Sequence, residues 1–310
     1  MACPSVAATT VPAVGLVAPA VGPTARDVAA DRRRLFAWYR PRRDAYPWRT
    51  TPDDPYRVLV SEVMLQQTQA PRVVPIFDAF VARFPDVATL AAASRADVVR
   101  AWAGLGYHRR AVALHRAAGE IVERHGAEVP RTSAGLRSLP GVGPYTASAV
   151  ASIAHGVPVA AVDTNVRRIA ARYFQGREPD EVPGHHVVEA ADAWVPVGRP
   201  GDWNQALMDL GRVVCRPRPR CDDCPFRACR FRADGRVGRS SARRQPAFEG
   251  SLRQVRGRVL AALRASPSVT DAALAAELGL PLQRVAEAVE GLLRDGLAVR
   301  TRGGRVRLAT

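Results

Sequence analysis

The chain has 310 residues, of which 45 are basic and 29 acidic, giving a net charge of +16. All 45 basic residues are arginine, so chemistry that needs a lysine side chain is excluded from the start. The size allows two domains and a sizeable core. The excess charge calls for a polyanionic partner.

The charge is unevenly placed. Residues 1–211 carry 24 Arg against 20 Asp and Glu, and residues 212–310 carry 21 against 9. A basic final third on a nearly balanced body suggests nucleic acid before membrane, since no stretch resembles an amphipathic lipid anchor. Residues 1–27 are apolar but broken by four prolines, with no basic region ahead of the apolar run. They read as a disordered tail and fit neither a signal peptide nor a membrane span, so a cytoplasmic protein is expected.

From 28 to 214 the pattern is helical throughout, in roughly ten segments with apolar residues at three- and four-residue spacing between short Pro and Gly breaks. No run alternates with period two over a useful length. In PYRVLVSEVMLQQTQ, Glu62 has apolar helical neighbours at Val58, Leu59 and Leu65. It is either a half-buried carboxyl whose raised pKa makes it a general acid, or an ordinary solvated or cap-bonded glutamate. Trp48, Trp102 and Tyr107 are each core candidates, but Tyr107 stands in a Gly-Leu-Gly-Tyr turn, where a side chain is presented.

In SLPGVGPYTASAVAS, two glycines two apart lead into an alanine-rich helix. Glycines there allow positive φ, and the free amides of a helix start suit an anion such as a phosphate. Ordinary turn chemistry gives the same letters. Asp163, in AVDTNVRRIAARYF, lies where an apolar run ends and a helix begins. It reads as a helix N-cap, kept ionised by the helix dipole, and an ionised carboxylate is what a developing sugar cation needs. The six histidines show no ligand spacing.

Cys215, Cys221, Cys224 and Cys229 stand in one tight loop, with gaps of five, two and four residues. In a reducing compartment this points to metal and not to disulfides, with an iron–sulfur cubane first and zinc as the alternative. Residues 215–231 form this loop, and Arg216, Arg218, Arg220, Arg227 and Arg230 in it suit a DNA surface. Residues 232–250 read as a basic linker. Residues 251–310 show three helical segments and a Gly-Gly hairpin, the winged-helix arrangement, which binds either DNA or protein.

Together these motifs resemble the helix-hairpin-helix DNA glycosylase superfamily, and within it the MutY-type mismatch adenine DNA glycosylases. The similarity runs from about Asp31 to Cys229 and rests on PWR, SEVMLQQTQ, WAGLGYHRRA, LPGVGPYTA, VDTNVRRI, NQALMDLG and the cysteine loop, in the family's order. It implies an all-α body with a 4Fe-4S cluster, followed here by a small winged-helix-like domain. It also implies a base excision repair enzyme, monomeric, that acts on double-stranded DNA containing a mismatch or oxidised base. By resemblance, Glu62 is the general acid and base, Asp163 with Asn165 stabilises the oxocarbenium ion, and Tyr145 assists. Trp48, Arg49 and Gln205 form the adenine pocket. Gln67, Leu105 and Tyr107 wedge into the base stack, and Gly141, Val142 and Gly143 grip a phosphate.

Tyr145 stands where strand-cleaving relatives carry a Schiff-base lysine. With no lysine in the chain, the enzyme should release a base and leave an abasic site. Three departures from the family pattern stand out. The outer cysteine gaps are each one residue short of the family's six and five, His108 replaces the second tyrosine of the Gly-Tyr-Tyr turn, and the family's C-terminal lesion-recognition domain is not recognisable, the last 60 residues resembling a winged helix instead. Two other readings remain: a thymine or uracil mismatch glycosylase of the same fold, and a non-catalytic iron–sulfur regulator that binds DNA.

Overall fold

The computed structural model describes residues 23–43, 45–239 and 247–309. The chain runs through α1 (Ala25–Tyr39), α2 (Pro47–Thr50), α3 (Pro55–Leu65), α4 (Ala70–Arg83), α5 (Val87–Ala92), α6 (Arg95–Ala101), α7 (Arg109–His125), α8 (Ser133–Arg137) and α9 (Pro144–His155). It continues through α10 (Thr164–Gln175), α11 (Gly184–Trp194), α12 (Pro200–Val213) and α13 (Arg230–Ala233). The final part is α14 (Leu252–Ala265), α15 (Asp271–Leu278), α16 (Leu282–Arg294), β1 (Ala298–Arg300) and β2 (Val306–Leu308).

Two apolar cores divide the helical body. The first is built from a continuous span and centres on Trp48, Met64, Phe77, Phe80, Trp102, Leu114, Ile121 and Val150. The second is discontinuous: Leu35 and Tyr39 of α1 pack with Ile169, Tyr173, Trp194, Trp203, Leu207 and Phe226. The junction between two such lobes can draw side chains from both, and the site described below does so.

The last segment folds as three helices and a hairpin. β1 and β2 pair antiparallel, Ala298 with Leu308 and Arg300 with Val306, and Val269 adds a bridge to Val306. Its core of Val259, Leu263, Val289, Leu292 and Val306 is continuous with Ala96 and Val99 of α6. It is therefore seated on the first lobe. Among the described residues no helix is long and apolar enough to cross a membrane.

Three sequence readings need correction. Helix α1 begins before Asp27: Thr24 caps it and forms a capping box with Asp27, so order starts inside the expected 1–27 tail, whose residues 1–22 lie outside the described ones. The expected linker is partly folded, because α13 reaches Ala233, Arg236 donates to the Gly176 carbonyl at 2.8 Å, and Arg239 pairs with Asp180 at 3.0 Å. Residues 240–246 of that linker lie outside the described ones. In the hairpin only Gly141 has positive φ, +76°, while Gly143 is extended as the cap of α9. A Cβ at Gly141 would also meet Ala113 Cβ at 2.6 Å, so this glycine is required by backbone and space together.

Candidate active site

Helix α3 is capped by Asp54, which accepts from the Arg57 amide at 3.0 Å, and opens with Pro55 at its first position. Val58, Leu59, Val60, Val63 and Met64 bury it on nearly every side, and Glu62 is carried in with them at 6% exposure. Burial, above all, pushes the Glu62 carboxyl up to about 7; Asp163 nearby adds to the rise, while Tyr145 and Arg49 oppose it. Of the two readings of Glu62, the buried one holds.

Tyr145, in the first turn of α9 beyond the hairpin, donates its hydroxyl to Glu62 Oε2 at 2.9 Å and lies 3.6 Å from Met208 Sδ. Burial keeps the phenol far above its ordinary range, so it stays a donor. Asp163 faces this pair from the second lobe. It caps α10 by accepting from the Asn165 and Val166 amides at 2.9 and 2.7 Å, and from Asn165 Nδ2 at 2.9 Å. Burial raises its pKa in spite of those three donors, so the cap's pull toward the anion is more than offset. Arg168 extends the line: it donates to Asn165 Oδ1 at 2.8 Å, to the Gly211 carbonyl at 2.9 Å and to the Cys215 carbonyl at 2.7 Å. Gly211 must be glycine here, since a Cβ would sit 2.4 Å from Asn165 Cβ.

The adenine-pocket candidates are all near the lobe junction but are engaged with protein partners. Trp48 is a core residue, stacked on Tyr46 at 5.0 Å between ring centres and edge-on to Phe77. Arg49 makes a two-pronged pair with Asp209 at 2.9 and 3.2 Å, bridging the lobes. Gln205 accepts from the Tyr39 hydroxyl at 2.9 Å. Of the three wedge candidates, Gln67 and Tyr107 are exposed, whereas Leu105 is 3% exposed and packs in the first core. Both exposed wedges have positive φ, 56° and 47°.

The four cysteines line one cavity, shared with Tyr173, Phe226 and Phe231. Buried Arg172 donates to the Arg216 and Pro217 carbonyls at 2.7 and 2.8 Å, lies 3.6 Å from Cys215 Sγ, and pairs with Glu178. Asp31 of α1 accepts from the Arg227 and Ala228 amides and from the Tyr173 hydroxyl, tying the far side of the loop to the start of the fold. Arg110, Arg168, Arg172 and Asp31 were not singled out by sequence. In a chain whose basic residues are all arginine, nothing local marks the few that are buried.

Residues 60–190, which include Glu62, the hairpin and Asp163, match the family model described as "HhH-GPD superfamily base excision DNA repair protein". That is the class the two-lobed fold and its site define. An adenine DNA glycosylase of Mycolicibacterium smegmatis is 42% identical over 278 residues, covering 89% of this chain and 94% of the relative. One of Mycobacterium tuberculosis is 43% identical over 280 residues, covering 88% and 92%. Among solved structures, a thermostable thymine-DNA glycosylase has a TM-score of 0.61 at 30% identity, covering 67% of this chain and 98% of that one. A non-covalent endonuclease III–DNA complex, at 23% identity and a TM-score of 0.56, shares the fold. The chain belongs to the adenine DNA glycosylase family and is a DNA glycosylase enzyme of base excision repair.

Proposed function

We propose that this enzyme hydrolyses the bond between adenine and deoxyribose where adenine is mispaired with 8-oxoguanine or guanine, and that it leaves an intact strand with an abasic site. The observation that carries the reading is the pair of carboxyl groups facing each other across the lobes: one raised to about 7, the other held by three N–H donors. Burial raises both carboxyls, but Asp163 keeps three N–H donors that favour its anion while Glu62 has the Tyr145 hydroxyl, and that difference in donors assigns the acid to Glu62 and the stabiliser to Asp163.

Protonated Glu62 gives its proton to a ring nitrogen of the extruded base, and the glycosidic bonding pair leaves with the base. Asp163, ionised, offsets the positive charge that develops on the sugar. Water then adds at C1′ and returns a proton to Glu62. Tyr145, held on Glu62 Oε2, fixes the carboxyl so that the other oxygen faces the base. Arg49 and Asp209 brace the lobe junction beside it. The exposed Tyr107 and Gln67 enter the stack left by the extruded base, and the Leu139–Gly143 turn holds a backbone phosphate.

The donor chemistry of the cysteine cavity suits a 4Fe-4S cluster, four thiols lining one apolar-walled space with arginine at its edge, although among the described residues no three of these groups are gathered as a metal site. Cys215, Cys221, Cys224 and Cys229 would hold it. When bound, the cluster crosslinks the loop and so fixes the arginines it carries. That the four thiols line one cavity despite shortened outer gaps supports this reading.

The name of the 30%-identical solved relative gives the thymine reading a footing. Full-length likeness to adenine enzymes, and an acid suited to a protonatable purine nitrogen, favour adenine. The deciding experiment is base release from duplexes containing A opposite 8-oxoguanine, A opposite G, T opposite G and U opposite G, with and without alkali. Scission only after alkali, fastest for adenine opposite 8-oxoguanine, is the expected result. Release of T or U alone overturns the adenine assignment, and tight binding with no release from any duplex favours a regulator.

A further inference from the structure

Three consecutive residues at the start of α7 reach in different directions. Arg110 turns inward: its Nη1 donates to the carbonyls of Val63 and Met64 at 2.9 and 2.8 Å and to that of Gln66. Its Nη2 reaches Thr68 Oγ1 at 3.1 Å and the Gly106 carbonyl at 3.3 Å, and the guanidinium lies over the Trp102 and Tyr107 rings. One side chain thus clamps the end of α3, the Gln67 turn and the Tyr107 turn.

His108 and Arg109 turn outward, onto the C-terminal domain. Arg264 of α14 reaches His108 Nε2 at 3.5 Å, and Arg109 pairs with Asp295 at 3.6 Å. On the other side of the same turn, Arg95 of α6 donates to the Gly296 carbonyl at 3.3 Å, and Ala96 and Val99 enter the domain's core. The domain therefore holds both helices that flank the Gly104–Tyr107 turn. Burial and the neighbouring Arg264, Arg110 and Arg256 push His108 down to about 4, so at neutral pH its ring nitrogen can accept from Arg264.

Gln67 and Tyr107 occupy the left-handed region, at a cost of about 1 kcal/mol each for non-glycine residues, and such residues persist where their surroundings over-determine them. Arg110 supplies that determination from inside. We propose that the C-terminal domain supplies it from outside: it is a brace that, through Arg264 and Asp295 on His108 and Arg109, sets the Tyr107 and Gln67 turns for separating the target base from its partner. His108, which departs from the family's tyrosine, is the docking contact. Arg264 and Asp295 are positioning residues that touch no reacting atom. The inference rests on the glycosylase reading above.

The test uses full-length Arg264→Ala, Arg264→Lys and Asp295→Ala. Single-turnover base release is measured from adenine opposite guanine and from the same adenine opposite a tetrahydrofuran residue, where no pair has to be broken. A duplex with 2-aminopurine at the target position reports extrusion by fluorescence, and thermal unfolding of each variant separates loss of fold. The alanine variants should lose ~10-fold or more on the paired substrate, little on the unpaired one, and should show weaker extrusion. Arg264→Lys should recover part of the loss. Equal losses on both substrates, or no loss on either, overturn the brace. Absence of release by the unsubstituted enzyme refutes the glycosylase reading instead, and the fluorescence arm still decides the brace.

Discussion

The Tyr145 hydroxyl lies 2.9 Å from Glu62 Oε2, so the first turn of the helix after the hairpin is bonded directly to the acid on α3. Whatever fixes the hairpin and the first turn of α9 also fixes the direction of the Glu62 carboxyl. On the proposed mechanism, binding and proton transfer are joined through one phenol.

Replacing Glu62 by Gln should lower base release by ~10²–10⁴-fold while DNA binding stays close to unchanged. In the unsubstituted enzyme the acid must be protonated, so release should fall as pH rises past about 7. Single-turnover rates across pH measure both.

Glu62 also weighs on stability. Its folded-state value of about 7 lies above the ordinary 4.5, so the fold favours the protonated form. That contribution is complete below about 4.5 and is lost as pH rises through about 7, by up to roughly 3 kcal/mol. Glu62→Gln should therefore melt higher than the unsubstituted protein near pH 8, with the gap closing toward pH 4. Calorimetric melting curves at several pH values provide the check.

Tyr145→Phe removes a donor that lowers the Glu62 pKa. The alkaline limb of the rate profile should move upward by up to about one pH unit. An unmoved limb would show that the phenol does not tune the acid.

Gly211→Ala puts a Cβ 2.4 Å from Asn165 Cβ, behind the cap that holds Asp163. Overpacking of this kind costs about 1–3 kcal/mol. The rate of base release should fall further than that of Gly257→Ala, where a Cβ meets nothing within 4 Å. Melting temperature and single-turnover rate on both variants separate the two sites.

With no lysine in the chain, borohydride treatment during turnover should trap no covalent DNA adduct through a side chain. Gel mobility of the denatured complex reads this directly. A trapped adduct that survives acetylation of the N-terminal amine would overturn the argument.

Much of this site was legible because its logic is local. An acid among apolar helical neighbours, an Asp before a helix, and four cysteines in fifteen residues each announce themselves by spacing. Leu105 and Trp48, to which the resemblance gives wedge and pocket roles, both lie in the first core, because a turn or motif position does not say which way a large apolar side chain packs. Arg110, Arg168 and Arg172 were hidden by uniform composition, and their work is done on carbonyls and side chains mostly forty or more residues away. The same holds for Asp31, whose partners in the cysteine loop are 196 and 197 residues distant.

That last contact sets an order of assembly. The first lobe is one unbroken stretch and can complete its core as it leaves the ribosome. Helix α1, made earlier, has to wait for Phe226 and the amides of Arg227 and Ala228 before its buried face and Asp31 find their partners. Helix α1 is thus made early and locks late, on the loop that carries the cysteines. Closure of the second core and completion of the cysteine loop become a single late event.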